Sequence, residues 1–150
     1  MAKARHLVNN WLQILDKKFS LDDSGRCFLQ QDNQTGIVLY APEQGDEVFI
    51  YSDLMRVPDD IPAGFYEQIL TLNSHTARTG GASITFEPSS NQLLAIFCQP
   101  IQALDGQTFQ NILQNLPKLL ESLREQLKTI WIDCKNKLST SSTVPPMAHA

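Results

Sequence analysis

The sequence predicts an α+β domain: one antiparallel sheet of about five strands packed with three helices, in the order α-β-β-β-α-β-β-α. Three observations carry this. Apolar residues recur at helical spacing near both ends of the chain. Between them lie short strand-like runs joined by Gly- and Asn-containing loops. With 42% of 150 residues hydrophobic, the chain suits one core rather than two.

In "ARHLVNNWLQILD" (4–16), Leu7, Trp11 and Ile14 or Leu15 form one helical stripe, which Val8 and Leu12 widen to well over a third of the circumference. A face that broad is core, or core with a part kept for a partner. "LDDSGRC" supplies a reversal. The runs "RCFLQQD" (26–32), "GIVLYAP" (36–42) and "EVFIYSDL" (47–54) then read as hairpin strands, with Pro42 closing the second. The third, with Val48, Phe49, Ile50 and Tyr51, is apolar on both faces, as a strand covered on both sides would be.

"VPDDIPAGFYEQILTLNSHTA" predicts a loop and a second helix, with Pro62 in its first turn and Phe65, Tyr66, Ile69, Leu70 and Leu72 as its apolar face. In "GASITFEP" (81–88), Ala82, Ile84 and Phe86 alternate inward against Ser83, Thr85 and Glu87; "LLAIFCQPI" (93–101) is almost continuously apolar. A long last helix follows from "LDGQTFQNILQNL" onward, capped by Asp105 or Thr108 and interrupted by Pro117, which should kink it or mark a join. The Ser/Thr/Pro-rich end, 138–150, predicts a disordered tail after a domain of residues 1–137.

Composition excludes several functions. Twelve basic and sixteen acidic residues give a net charge of −4, the wrong balance for nucleic acid as main partner. No run nears the ~18 apolar residues of a membrane span, and no secretory signal is expected at the start. Cys27, Cys98 and Cys134 lack zinc-type spacing; Cys27 and Cys98 sit in apolar strand patterns and are expected to be reduced and structural. No metal or other cofactor is expected.

"LNSHTARTGGASITFEP" (72–88) invites a phosphate-loop reading, but its glycines leave a helix and open a strand, the reverse of what an anion cradle needs. Gly80 and Gly81 suit a chain leaving a helix through positive φ, close to other backbone. His6, His75 and His149 lie in distant settings, and Asp22/Asp23 and Asp59/Asp60 lie in turns that Asp favours anyway. No catalytic residue is therefore assigned, and an enzyme is not expected. A small hydrolase or thiol enzyme using Cys27 or His75 is the reading this sets aside.

Taken in order, the first helix, "LDDSGRCFL", the long stretch "IPAGFYEQILTLNSHTARTGGASITFEPSSNQLLAIFCQPI" and "LDGQTFQNILQNL" resemble the class I chaperones of bacterial type III secretion, over roughly residues 7–133. "LDDSGRC" is similar to that family's Leu-Asp-x-x-Gly-x-Cys stretch; the Leu-Gly pairs that often close its first helix are replaced here by "LDKKFSLDD". The resemblance implies a cytoplasmic homodimer formed through the second helix and nearby strands, here Phe65, Tyr66, Ile69, Leu72 and the strand around Ile84. It also implies that the N-terminal segment of one or more secreted effectors wraps the dimer in extended form, with the export ATPase of the secretion system as a further partner. Such a segment pays ordering entropy on binding and needs apolar surface in return. Val8, Leu12, Phe28, Leu29, Val38, Tyr40, Phe49 and Tyr51 are the candidates to supply it. A module sequestering a transcriptional regulator through the same surfaces is the alternative.

Overall fold

The computed structural model describes residues 2–29 and 36–143, and over these the predicted order of elements is present. Helix α1 (Ala2–Leu15) leads into β1 (Arg26–Leu29), β2 (Ile37–Tyr40) and β3 (Glu47–Arg56). Then come α2 (Phe65–Asn73), a one-turn α3 (Thr76–Thr79), β4 (Ser83–Glu87), β5 (Gln92–Pro100), a 3-10 turn (Ile101–Ala103) and α4 (Gly106–Thr143). The strands form one antiparallel sheet in the order β1-β2-β3-β5-β4, so β1 and β4 are its edges. The predicted first strand ran to residue 32; residues 30–35 lie outside the described residues.

All the long helices lie on one face of this sheet. Val8 and Leu12 of α1, Leu39, Val48, Ile50, Ala95 and Phe97 of the strands, and Phe109, Leu116, Leu120, Leu123 and Leu127 of α4 belong to one buried cluster. Burying a side chain of this size contributes about 1.5–3 kcal/mol each, so this layer is the main stabilising element. Two aromatic pairs fix the helices to one another: Trp11 on Phe109 (centroids 5.3 Å) and Phe65 edge-on to Trp131 (4.9 Å). Arg124 of α4 donates to the Asp53 carbonyl at 2.7 Å, where a bulge between Asp53 and Met55 shifts the β3–β5 register.

Four local details differ from expectation. Helix α2 begins at Phe65, not at Pro62, because Gly64 takes φ 84° and Pro62 instead accepts from the Phe65 N–H at 3.2 Å in the preceding turn. Gly80 (φ 65°) and Gly81 (φ 90°) do carry the chain out of α3 in the left-handed region, but Gly80 faces the Leu119 side chain rather than backbone. Asp105, not Thr108, caps α4, its Oδ1 accepting from the Thr108 N–H at 2.7 Å. Pro117 does not end that helix, which runs to Thr143. Residues 138–143, assigned by the sequence to a disordered tail, thus continue the helix, and 144–150 lie outside the described residues.

Among the described residues, one core position is polar without compensation: Ser52 is buried, and its Oγ has no hydrogen-bond partner among them. A hydroxyl buried that way is a net cost, so Ser52→Ala should raise the unfolding free energy by about 1 kcal/mol. A higher urea midpoint with an unchanged slope would show it.

Candidate protein-binding surface

Strand alternation puts Val48, Ile50 and Ser52 under the helices and turns Phe49 and Tyr51 to the opposite side. No helix covers that opposite side among the described residues. Pairing register lines up its side chains in rows across the sheet. One row is Phe28–Val38–Tyr51–Ile96–Ser83; the next is Arg26–Tyr40–Phe49–Cys98; a third holds Asp53, Leu94 and Thr85. Tyr40 stacks on Phe49 and Phe49 on Tyr51, each with centroids 6.2 Å apart, and the Arg26 guanidinium lies 4.2 Å over the Tyr40 ring. A shallow depression of about 510 Å³ spans Phe28, Val38, Tyr51 and Leu94, rimmed by Arg26, Asp53 and Glu87. The rings shield one another enough that burial pushes the Tyr51 hydroxyl pKa up.

The face ends at edge strand β1. Arg26 is closed to a neighbour: Asp22 donates its N–H to the Arg26 carbonyl at 2.7 Å and accepts the Arg26 N–H on Oδ1 at 3.0 Å. The same carboxylate accepts from Ser24, and these hydrogen bonds hold its pKa below the ordinary carboxyl value. Phe28, two residues on, is the next position whose N–H and C=O point off the edge, and its ring is 70% exposed. On the helix side of the same edge a cleft of about 370 Å³ opens between the end of α1 and the start of α4, lined by Ile14, Leu15, Phe19, Leu29, Ile37 and Leu113. Ile14 is 73% exposed. A strand laid beside β1 would alternate its side chains between the open face and this cleft.

The residues predicted to touch a partner separate into two groups. Phe28, Val38, Tyr40, Phe49 and Tyr51 all lie on the open face. Val8, Leu12 and Leu29 need correction: they are buried in the chain's own core, with Val8 and Leu12 fully enclosed. The line Ala4–Val8–Leu12 turns to the sheet, and Leu7, Trp11 and Ile14 turn away from it. The dimer candidates divide similarly. Phe65, Ile69 and Leu72 of α2 and Ile84 of β4 are core residues, again a correction, since they pack α2 against α4 and β4. Tyr66 is 40% exposed and sits beside Leu70 (69%) and Phe86 (45%), the last of which was expected inside. Tyr66 and Phe86 meet edge-on at 6.3 Å, an apolar patch on the outer side of α2 and β4. Leu94 and Ile96 of the open face, and Ile14 of the cleft, were not predicted; the unbroken apolar run 93–97 carried the signal for the first two.

Cys27, on β1, and His75, just before α3, lie on different elements. His75 is exposed at the start of α3. Burial pushes the Cys27 thiol up, away from thiolate. Cys98, expected in a strand interior, is exposed on the open face; partial burial and its hydrogen bond to Glu47 Oε2 (3.1 Å) push its pKa up to about 11. Among the described residues no helix is long and apolar enough to cross a membrane.

The Tir chaperone protein (CesT) family model matches residues 6–124. No curated protein sequence matches the chain. Among solved structures the chain is similar to the ExsC–ExsE complex, at 20% identity over 84% of this chain and 94% of that one, with a TM-score of 0.68. It is similar also to the HopA1–SchA chaperone–effector complex, at 19% identity over 80% and 91% of the two chains (TM-score 0.64). A third likeness is to the Yersinia pestis type III secretion chaperone SycH in complex with a stable fragment of YscM2, at 15% identity over 80% and 98% (TM-score 0.59). At these identities the likeness to the solved structures is one of fold.

Proposed function

The chain belongs to the Tir chaperone protein (CesT) family of type III secretion chaperones, and from that premise we propose that it binds the extended N-terminal segment of one or more secreted effectors in the bacterial cytoplasm. The bound segment is kept from collapsing or aggregating and is delivered, unfolded, to the export ATPase. The observation that supports this reading most is the uncovered apolar sheet face running to the β1 edge at Phe28, with an apolar cleft on the other side of that edge. An extended peptide at β1 gains main-chain hydrogen bonds from Phe28 and places alternate side chains on the two apolar surfaces, a return large enough to offset its ordering. Residues 1–137 form the working domain. Its role is binding and not catalysis.

The working unit is a homodimer whose interface centres on Tyr66, Leu70 and Phe86, the exposed apolar patch of α2 and β4. Light scattering should then give twice the chain mass of 16.9 kDa at micromolar concentration, and Tyr66→Asp with Leu70→Asp should return it to a single chain. A wild-type mass near one chain overturns the dimer. Capture from the secreting organism, followed by identification of the bound proteins, tests the function. Secreted proteins held by their first segment are the expected partners. A transcriptional regulator as main partner would replace this reading with a sequestering module.

A further inference from the structure

An open sheet edge is a row of outward N–H and C=O groups that any extended chain can pair with, and both edges of this sheet carry a device against it. On β4 the outward positions are Ile84, opposite Ala95 in the ladder, and Phe86, opposite Leu93; Asn73 engages the first of them. The Ile84 N–H donates to Asn73 Oδ1 at 2.8 Å, and its C=O accepts from Asn73 Nδ2 at 3.0 Å. One carboxamide therefore supplies both the acceptor and the donor that a neighbouring strand would bring. Asn73 ends α2, where the following Ser74 hydroxyl donates to the Thr71 carbonyl at 2.6 Å, so the plug stands on a fixed helix terminus. On β1, Asp22 closes Arg26 with the same two-bond pattern. At Phe28 the pattern stops: the C=O meets only the Cys27 thiol at 3.9 Å, a weak donor, among the described residues.

We propose that Asn73 is a positioning residue of the β4 edge: its side chain takes both outward backbone groups of Ile84, so that a second strand cannot pair continuously along β4. The inference rests on the strand-addition reading given above. This edge needs such a block, because Tyr66, Leu70 and Phe86 flank it with exposed apolar surface, and bare backbone beside such a patch is a template for pairing with a second copy. Asn73 thus separates two kinds of contact: side chains of the patch can meet a partner, while the backbone at Ile84 is denied to an added strand.

The test uses the full chain without any client, so its outcome does not depend on whether effector binding is placed correctly. Native-state hydrogen exchange is followed at the Ile84 amide, with Ile50 of the central strand as reference, together with light-scattering mass over a concentration series. In Asn73→Ala the Ile84 amide should exchange roughly tenfold faster while Ile50 is unchanged. The mass should rise with concentration beyond the wild-type assembly. Asn73→Asp retains the acceptor for the Ile84 N–H and loses the donor to its C=O. It should keep Ile84 protected yet still associate more than wild type, and it decides the case if Asn73→Ala loses protection at Ile50 as well. Wild-type Ile84 exchange in Asn73→Ala, or no added association in either variant, overturns the proposal.

Discussion

Phe28→Asp should weaken binding of an effector's N-terminal segment by more than about a hundredfold while leaving the urea midpoint of the chaperone unchanged. The two halves of this expectation have separate causes. Phe28 is 70% exposed, so its removal takes almost nothing from the core, and exposed strand substitutions of this kind shift stability only by tenths of a kcal/mol. In the complex the ring would stand between Val38 and the incoming strand, at the one β1 position with outward backbone groups that Asp22 does not engage. Desolvating a carboxylate there, and losing an aromatic contact worth about 1.5–3 kcal/mol, gives a deficit of 3 kcal/mol or so. Isothermal titration against the effector segment measures it. Wild-type affinity in Phe28→Asp would remove β1 and the open face as the client site. Leu94→Asp, on the same face but two strands from that edge, should weaken binding less if the segment lies along β1.

How much of this was legible in the sequence depends on whether a signal was local. The double apolar character of "VFIY" states by itself that β3 is contacted on both sides, and the open face at Phe49 and Tyr51 follows from it. Helix α1 carries apolar residues at 7, 8, 11, 12, 14 and 15, which leaves its rotation open; Ala4, too small to weigh in an apolar count, was the residue that aligned the buried line with Val8 and Leu12. Phe86 shares the inward face of β4 with Ile84, but it meets α2 at the half-exposed Tyr66 of that helix's first turn, a matter of where α2 starts and not of strand pattern. Cys98 reads as core because its neighbours are apolar, yet one strand position decides between the helix side and the open side. The two-bond plugs of Asp22 and Asn73 were invisible for another reason. Side chains of turn and helix-end residues have ordinary local uses, and only the sheet order shows that these two lie against its edges.

Gly25→Ala should cost about 3–5 kcal/mol, enough to leave much of a domain of ordinary stability unfolded at 37 °C. Gly25 has φ 87°, and a methyl added there would lie 2.2 Å from the Ala41 carbonyl oxygen and 2.7 Å from Arg5 Nη2. The oxygen cannot retreat cheaply. It accepts from Arg5 Nε at 3.0 Å, while the Ala41 N–H donates back to the Gly25 carbonyl at 2.8 Å. Arg5 also reaches the Ser24 carbonyl at 3.2 Å, so the same displacement loosens the grip of α1 on the turn that starts β1. Gly64 separates backbone strain from collision. Its φ of 84° is nearly the same, but nothing lies within 4 Å of the added methyl, so Gly64→Ala should cost only about 1–2 kcal/mol, the left-handed strain alone. Chemical denaturation of both variants measures the difference directly. Equal losses would mean that Ala41 and Arg5 yield freely and that this turn does not anchor α1 to the sheet; a loss at Gly25 exceeding that at Gly64 by 2 kcal/mol or so would locate the anchor of the client edge in Gly25, Ala41 and Arg5.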